Sequence, residues 1–189
     1  MVIDHLLSHF SEPKVAYVYC DYRDKTNQSL HNILGSILKQ LLMITTNMPD
    51  AVVGMLESLQ KRGNKVELHI VSHILKLAIP QLNVAGPFLV IDALDELEPR
   101  VRLELLKALQ SEFGGTHIFL TSRPHIASDV SRILRLHQGD AIQITPNSID
   151  IRAYLGHEID LDWEMNPEDM NEQLKEEILD AILSKAQGM

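Results

Sequence analysis

Short apolar runs alternate along the chain with longer segments of mixed polarity. Four runs are rich in β-branched, aromatic and aliphatic residues and are bounded by turn-forming residues: 15–20, 88–91, 117–120 and 141–144. Runs of this length and composition predict β-strands. The run 88–91 contains no polar residue, which is typical of a parallel strand covered on both faces.

The segments between these runs predict helices, because their apolar residues recur at spacings of three and four. The clearest helix follows a capping residue, Thr26 or Asn27. Its apolar residues have a period near 3.6: Leu30, Ile33, Leu34, Ile37, Leu38, Leu41 and Leu42. Further helices are predicted at residues 1–10, 50–61, 66–82 and 126–135, and from Pro99 to a stop at Gly114-Gly115.

Alternating strands and helices predict an α/β fold with a mostly parallel sheet flanked by helices. After Thr145-Pro146 the pattern becomes helical. Asn147 can cap a helix that has Asp150 in its first turn, and Asn166-Pro167-Glu168 can open another. We therefore predict an α/β core at residues 1–145 and a helical extension at 146–189.

Composition narrows the function classes. The chain has 189 residues, one cysteine and a net charge of −9. The negative charge argues against binding to a nucleic-acid backbone. A single cysteine excludes an internal disulfide and fits a reducing, cytoplasmic setting. No apolar run approaches the roughly 20 residues that a membrane-spanning helix needs.

An acidic segment follows the most apolar strand. Asp92, Asp95 and Glu96 come at the end of the run 88–91, and the carboxyl edge of a parallel sheet is where α/β folds bind ligands. An acid at this position of a P-loop NTPase holds Mg²⁺, usually through water, and Asp95 and Glu96 are close enough in sequence to polarise an attacking water. The alternative is that Asp92 and Asp95 cap the next helix while Glu96 is solvated.

The next predicted strand ends in Thr121-Ser122-Arg123-Pro124. Right-handed crossovers bring the ends of parallel strands to one edge of a sheet, so Thr121 and Arg123 are predicted to lie on the same edge as Asp92. Arg123 is then a candidate sensor of a γ-phosphate. The alternative is that Arg123 pairs with Asp92 or with a carbonyl at a helix end.

These segments resemble a known family. Val-Ile-Asp-Ala-Leu-Asp-Glu at 90–96 resembles the Walker B segment of NACHT domains, and Leu-Thr-Ser-Arg-Pro at 120–124 resembles their sensor strand. Tyr22-Arg23-Asp24 with the following leucine-rich helix, Ile144-Thr145-Pro146-Asn147 and the closing Lys-Ala-Gln-Gly are similar to fungal NACHT and nephrocystin-like N-terminal domains.

The resemblance implies a STAND-class signalling ATPase or GTPase with a P-loop NTPase-like sheet. It implies Asp92, Thr121 and Arg123 at the nucleotide, Asp92 holding Mg²⁺ through water, and Asp95 and Glu96 as catalytic residues. It also implies ATP or GTP as cofactor and an attached effector domain and repeat domain as partners. Self-association of the chain is a separate expectation, because strand edges left unpaired invite pairing with other chains.

One part of the family pattern is missing. A phosphate-binding loop, G-x-x-x-x-G-K-[ST], supplies backbone N–H groups and a lysine to the phosphates, and no such segment occurs in the 189 residues. Residues 2–6 resemble the helix that follows this loop. We therefore expect a partial domain without the loop and the first strand, which the family places between the sensor strand and the last strand.

Three function hypotheses follow. The first is a partial NACHT module that does not hydrolyse nucleotide as this chain. The second is a nucleotide-free interaction or scaffold fragment, and the third, ranked last, is a Mg²⁺-dependent phosphotransfer enzyme or nuclease built on Asp92, Asp95 and Glu96. The i,i+4 histidine pairs His5/His9 and His69/His73 lack the other ligands of a zinc site and are discounted.

Overall fold

The computed structural model describes residues 2–9, 14–45, 48, 50–62, 66–82, 86–137, 139–145, 147–165 and 171–186. The chain divides into two compact units, residues 1–141 and 142–189. Predicted boundaries at Ser11-Glu12-Pro13, Asn47, Pro49, Gly63-Asn64, Pro146, Asn166-Pro167-Glu168 and Gln187-Gly188 lie outside the described residues.

A three-stranded parallel sheet forms the centre of the first unit. Its strands are β1 (Val15–Tyr19), β2 (Phe88–Asp92) and β3 (His117–Leu120), in the order β1-β2-β3. Phe88 is aligned with Val15 on one side and with His117 on the other. The predicted α/β fold with a parallel sheet is therefore confirmed.

The described part of this unit contains six α-helices: α1 (Val2–His9), α2 (Leu30–Met43), α3 (Asp50–Arg62), α4 (Leu68–Ala78), α5 (Pro99–Glu112) and α6 (Ala127–Leu134). The predicted cap of α2 is wrong. Ser29, in extended conformation, accepts a hydrogen bond from the Asn32 N–H at 3.2 Å. The Asn27 side chain instead donates to Asp24 at 2.8 Å.

The core joins α2, α4 and α5 to the sheet, with α2 packed against β1. Its largest fully buried side chains include Leu34, Ile37, Ile74, Leu75, Leu89, Ile91, Leu105 and Leu106. Each such side chain contributes about 1.5–3 kcal/mol through removal from water. The apolar periodicity of α2 is thus explained by burial of Ile33, Leu34, Ile37, Leu38 and Leu41.

The predicted fourth strand at 141–144 is wrong. Residues 141–145 have no regular structure, and Ile142 and Ile144 are 85% and 87% exposed. The alternation of apolar and polar residues permits a strand. A strand also needs a neighbouring strand to bond its N–H and C=O groups, and no described residue pairs with this segment. β3 is consequently an edge strand of the described sheet.

The second unit contains α7 (Ser148–Met165) and α8 (Glu172–Ala186). Asn147 caps α7 as predicted, because its Oδ1 accepts from the Asp150 N–H at 2.8 Å and its Nδ2 donates to the Asp150 carboxylate at 2.7 Å. Asn171 caps α8 by accepting from the Leu174 N–H at 2.9 Å. In the part of the chain that is described, no helix is long and apolar enough to cross a membrane.

Candidate functional site

The carboxyl ends of β2 and β3 meet at one edge of the sheet. Because Ile91 is aligned with Leu120, the next residues on the two strands, Asp92 and Thr121, are neighbours. The Thr121 N–H donates to the Ile91 carbonyl at 3.0 Å, which extends the ladder past the end of β3. The expectation that these two strand ends share an edge is confirmed.

Thr121 connects the two strand ends through its hydroxyl. This hydroxyl donates to Oδ1 of Asp92 and accepts from the Ala93 N–H at 2.8 Å. The Thr121 carbonyl accepts from the Leu94 N–H at 2.9 Å. One residue thus fixes both the Asp92 carboxylate and the first turn of the acidic segment.

Ala93 turns the chain out of β2 in the left-handed conformation, with φ 57° and ψ 46°. This conformation costs an L-residue roughly 1–2 kcal/mol. The hydrogen bond from its N–H to Thr121 and the complete burial of Leu94 hold the turn in place. The 3₁₀ turn Leu94–Glu96 then carries the other two acids.

Asp95 is engaged by Arg123. The Asp95 carboxylate accepts the Arg123 N–H at 3.0 Å and lies 3.5 Å from its guanidinium Nε. The Asp95 side chain is only 6% exposed, whereas that of Arg123 is 75% exposed. Arg123 therefore pairs with Asp95, and neither alternative partner from the sequence, Asp92 or a helix-end carbonyl, is the one observed.

Glu96 reaches the loop that follows β1. Its carboxylate accepts from the Tyr22 N–H at 3.2 Å. Arg102, on the first turn of α5, supports the acidic turn from the other side by donating to the carbonyls of Asp95 and Leu97 at 3.3 and 3.2 Å. No spacing rule in the sequence indicates the Tyr22 contact, and the sequence reasoning also missed Arg102.

The helix-capping alternative for the acids is not observed. The residue at the N-cap of α5 is Glu98, whose side chain makes no capping hydrogen bond. Pro99 occupies the first turn, where a missing N–H costs nothing. Asp92 and Asp95 are bonded to Thr121 and Arg123 instead.

Cys20 lies beside the acids. Its N–H donates to the Asp92 carbonyl at 3.0 Å, and the residue is 7% exposed. Burial, followed by the negative charges of Asp92, Glu96 and Asp95, raises the pKa of the Cys20 thiol to about 12. A thiol with this pKa is a small buried apolar group at neutral pH rather than a nucleophile.

The carboxylates are suited to a cation that retains water molecules in its coordination shell. Among the described residues no cluster of three metal-ligating side chains exists, so these residues alone do not supply a full set of protein ligands to a metal ion. Mg²⁺ typically uses one or two carboxylates together with waters and substrate phosphates. Asp92 fits this requirement, since no described residue bonds to its second oxygen.

A groove in the first unit lies away from the acidic edge. It has a volume of about 560 Å³ and runs between β1 and α2, with Tyr17, Tyr19, Ser36 and Gln40 in its lining. None of the predicted site residues lines it. We place the candidate site at the acidic edge because the charged groups converge there.

A family match covers the part of the chain that contains all three strands and the acidic edge. The family described as "Nephrocystin 3, N-terminal" matches residues 1–123. The chain belongs to this family. The nephrocystin 3 N-terminal match includes Asp92, Asp95, Glu96, Thr121 and Arg123, and it ends at Arg123. No curated protein and no solved structure matches the chain.

Proposed function

We propose that this chain is part of a nucleotide-binding module of the NACHT type, from a STAND-class signalling NTPase, and that it does not hydrolyse nucleotide by itself. The observation that supports this most is the hydrogen bond from Thr121 to Asp92 across two neighbouring strand ends. It presents one carboxylate at the sheet edge where α/β folds take their ligands.

Asp92 would hold Mg²⁺ through water in this proposal. The Thr121 hydroxyl orients one carboxylate oxygen, and the other is available to hydrogen-bond the water shell of the cation. Mg²⁺ bound there with ATP or GTP would neutralise negative charge on the phosphates. Asp92→Asn would keep the shape of the side chain and remove its charge.

Glu96 and Asp95 would have different roles. Glu96 is half-buried and uses its carboxylate to accept from the backbone of Tyr22, which leaves it able to orient a water. Asp95 is almost fully buried against Arg123. A γ-phosphate near this edge would compete with Asp95 for the Arg123 guanidinium, which is the contact expected of a sensor residue.

This chain supplies few of the contacts that the phosphates of a nucleotide need. Most of them come from the backbone and lysine of a Gly-rich loop, and the 189 residues contain no such segment. We therefore propose weak nucleotide binding or none. The second candidate, a nucleotide-free interaction fragment, is favoured by the pairing of Arg123 with Asp95, which satisfies the sensor group without a ligand.

The proposals about cell compartment, kind of protein and attached domains rest on the family resemblance alone. We propose a cytoplasmic signalling protein, of the fungal NACHT kind, with 90–96 as its Walker B segment and with effector and repeat domains as partners. The third hypothesis from the sequence, a phosphotransfer enzyme or nuclease without a P-loop, gains no support from the geometry, because among the described residues Asp92, Asp95 and Glu96 do not form a metal-binding cluster.

Calorimetric titration tests the proposal in two stages. The chain as it stands should give no micromolar binding of Mg-ATP or Mg-GTP. The same chain extended at its N-terminus by a strand and a G-x-x-x-x-G-K-[ST] loop should gain binding and hydrolysis. Asp92→Asn in the extended chain should lower hydrolysis by about a hundredfold or more.

The matched control is Asp140→Asn, which removes an exposed carboxylate outside the site. Equal turnover in the extended chain and its Asp92→Asn variant would refute the assignment of Asp92. Micromolar binding by the unextended chain would contradict the proposed need for the loop. Failure of the extended chain to bind at all would favour the nucleotide-free fragment.

A further inference from the structure

The helical hairpin of α7 and α8 has very little core of its own. In the described part of 142–189, Leu179 is the one buried hydrophobic residue. Ile149, Tyr154 and Leu161 on α7 are 78%, 64% and 43% exposed. Two helices in contact normally bury a continuous apolar stripe on each, so the apolar residues of α7 exceed what α8 covers.

Ion pairs join the two helices instead. Arg152 on α7 contacts Glu176 and Asp180 on α8, and Lys175 on α8 contacts Asp160 on α7. Ion pairs near the protein surface are screened by water and contribute little to stability. The pairs also occupy two of the three basic side chains in residues 142–189, the third being Lys185.

Charge is distributed very unevenly between the two units. Residues 142–189 contain eleven acidic and three basic residues, so they carry −8 of the total −9, while residues 1–141 contain fifteen acidic and fourteen basic residues. The acidic excess belongs to the hairpin. A surface that is both acidic and apolar is complementary to one that is basic and apolar.

The outer face of α7 combines the two properties in one stripe. Asp150, Tyr154, Glu158 and Leu161 follow each other at spacings of four, four and three, which places them on one side of a helix. All four are exposed. Tyr154 and Leu161 are two turns apart, with the Glu158 carboxylate between them and Asp150 one turn before Tyr154.

We propose that this stripe is a docking surface for a basic amphipathic helix of a partner protein. Leucine-like side chains of such a helix would cover Tyr154 and Leu161, and its lysines or arginines would pair with Asp150 and Glu158. A second copy of the hairpin does not fit, because two surfaces of charge −8 repel. Nucleic acid does not fit for the same reason. The proposal does not depend on nucleotide binding.

Trp163 allows peptide binding to be measured at the hairpin itself. It is the only tryptophan of the chain and lies half-buried on α7, so tryptophan fluorescence of the full chain reports on the hairpin when the probe contains none. The probe is a synthetic Leu/Lys peptide that forms an amphipathic helix. Saturable binding that weakens with added NaCl is expected, with much weaker binding of a Leu/Glu peptide and of a Ser/Lys peptide.

Two sets of variants locate the surface. Tyr154→Ser with Leu161→Ser should weaken binding of the Leu/Lys peptide by about tenfold or more, because burial of such side chains is lost. Met43→Ser with Leu103→Ser removes exposed apolar side chains of the first unit and should leave binding unchanged. Glu158→Lys keeps the apolar residues and should also weaken binding.

Several results would overturn the proposal. Equal affinity for the Leu/Lys and Ser/Lys peptides would show that charge alone attracts the probe. Equal affinity for the Leu/Lys and Leu/Glu peptides would show that charge complementarity does not contribute to binding. Unchanged binding by both the double serine variant and Glu158→Lys would place the contact elsewhere. A dimer of the chain that is seen in sedimentation and is lost in the double serine variant would assign this face to a second copy.

Discussion

Thr121 holds Asp92 across the junction of two neighbouring strands: its hydroxyl donates to the Asp92 carboxylate and accepts the N–H of Ala93 at 2.8 Å. Both groups are therefore satisfied by one side chain that lies 29 residues further along the chain. The acidic turn depends on a residue of the next strand, so its integrity can be tested without any nucleotide.

Replacing Thr121 by Val should destabilise the fold. Valine keeps the shape but leaves the Asp92 oxygen and the Ala93 N–H without their partner, and such a loss typically costs about 1–3 kcal/mol. Urea unfolding followed by circular dichroism measures it. Thr121→Ser is the matched control, since it keeps the hydroxyl. A Val variant as stable as the Ser variant would mean that water replaces the hydroxyl at no cost.

Gln40 closes part of the free edge of β1. Its side-chain amide accepts from the Tyr17 N–H at 3.0 Å and donates to the Tyr17 carbonyl at 2.9 Å, as a neighbouring strand would. The Gln28 amide accepts from the Asp21 N–H at 3.1 Å further along the same edge. Unpaired strand edges promote association between chains, and these amides occupy positions where another strand would bind.

Gln40→Leu should therefore lower stability and promote self-association. Two hydrogen bonds are lost, each worth about 0.5–1.5 kcal/mol net. Thermal melting and sedimentation velocity at several concentrations measure the two effects. Gln110→Leu on the exposed face of α5 adds the same apolar surface without opening the sheet. If both variants associate equally, added hydrophobicity and not the strand edge is the cause.

β3 is the other edge strand of the described sheet. Its exposed face includes Phe119, which is 44% exposed. We expect the purified chain to be marginally stable and to associate through this edge, as apolar edge strands do. Phe119→Lys should reduce the association, because a lysine on an edge strand opposes pairing with another chain.

Sedimentation velocity and a thermal melt check this expectation. Asn32→Lys, which adds the same charge at an exposed position on α2, controls for a general effect of net charge. A monodisperse monomer with a cooperative melt above about 55 °C, within the range of intact mesophile domains, would show that the β3 edge is covered.

Cys20 should be unreactive in the folded chain. Its pKa of about 12 means that the thiol stays protonated at pH 8, so a thiol reagent should label it slowly until urea exposes it. Because the folded-state pKa lies above the ordinary value of 9.0, the contribution of Cys20 to stability is complete below pH 9 and is lost as the pH rises toward 12.

The measurement is labelling with and without urea, together with unfolding curves across this pH range. Cys20→Ala provides the comparison, since it should lose less stability between pH 9 and 12 than the natural chain. Rapid labelling at pH 8 without denaturant would show that the strand end opens readily and that burial does not control the thiol.

The amino-acid sequence by itself determined the helices and the three paired strands. The apolar period of α2 is a local property, and hydrogen bonds within the helix itself convert it into an element. The continuous apolar run of β2 indicates a strand covered on both faces, whose hydrogen bonds go to β1 and β3. The sequence also predicted that Asp92 and Thr121 share an edge, because parallel strands joined by right-handed crossovers leave few other arrangements.

Only the tertiary structure decided which groups form hydrogen bonds and ion pairs with each other. Arg123 pairs with Asp95 rather than with Asp92, Gln40 occupies the edge of β1, and the segment 141–145 forms no strand although its alternation permits one. Each outcome depends on which groups come within hydrogen-bonding distance after distant segments pack. A pattern along the chain states what a residue can bond to, whereas only packing selects which of the possible partners is near enough to do so.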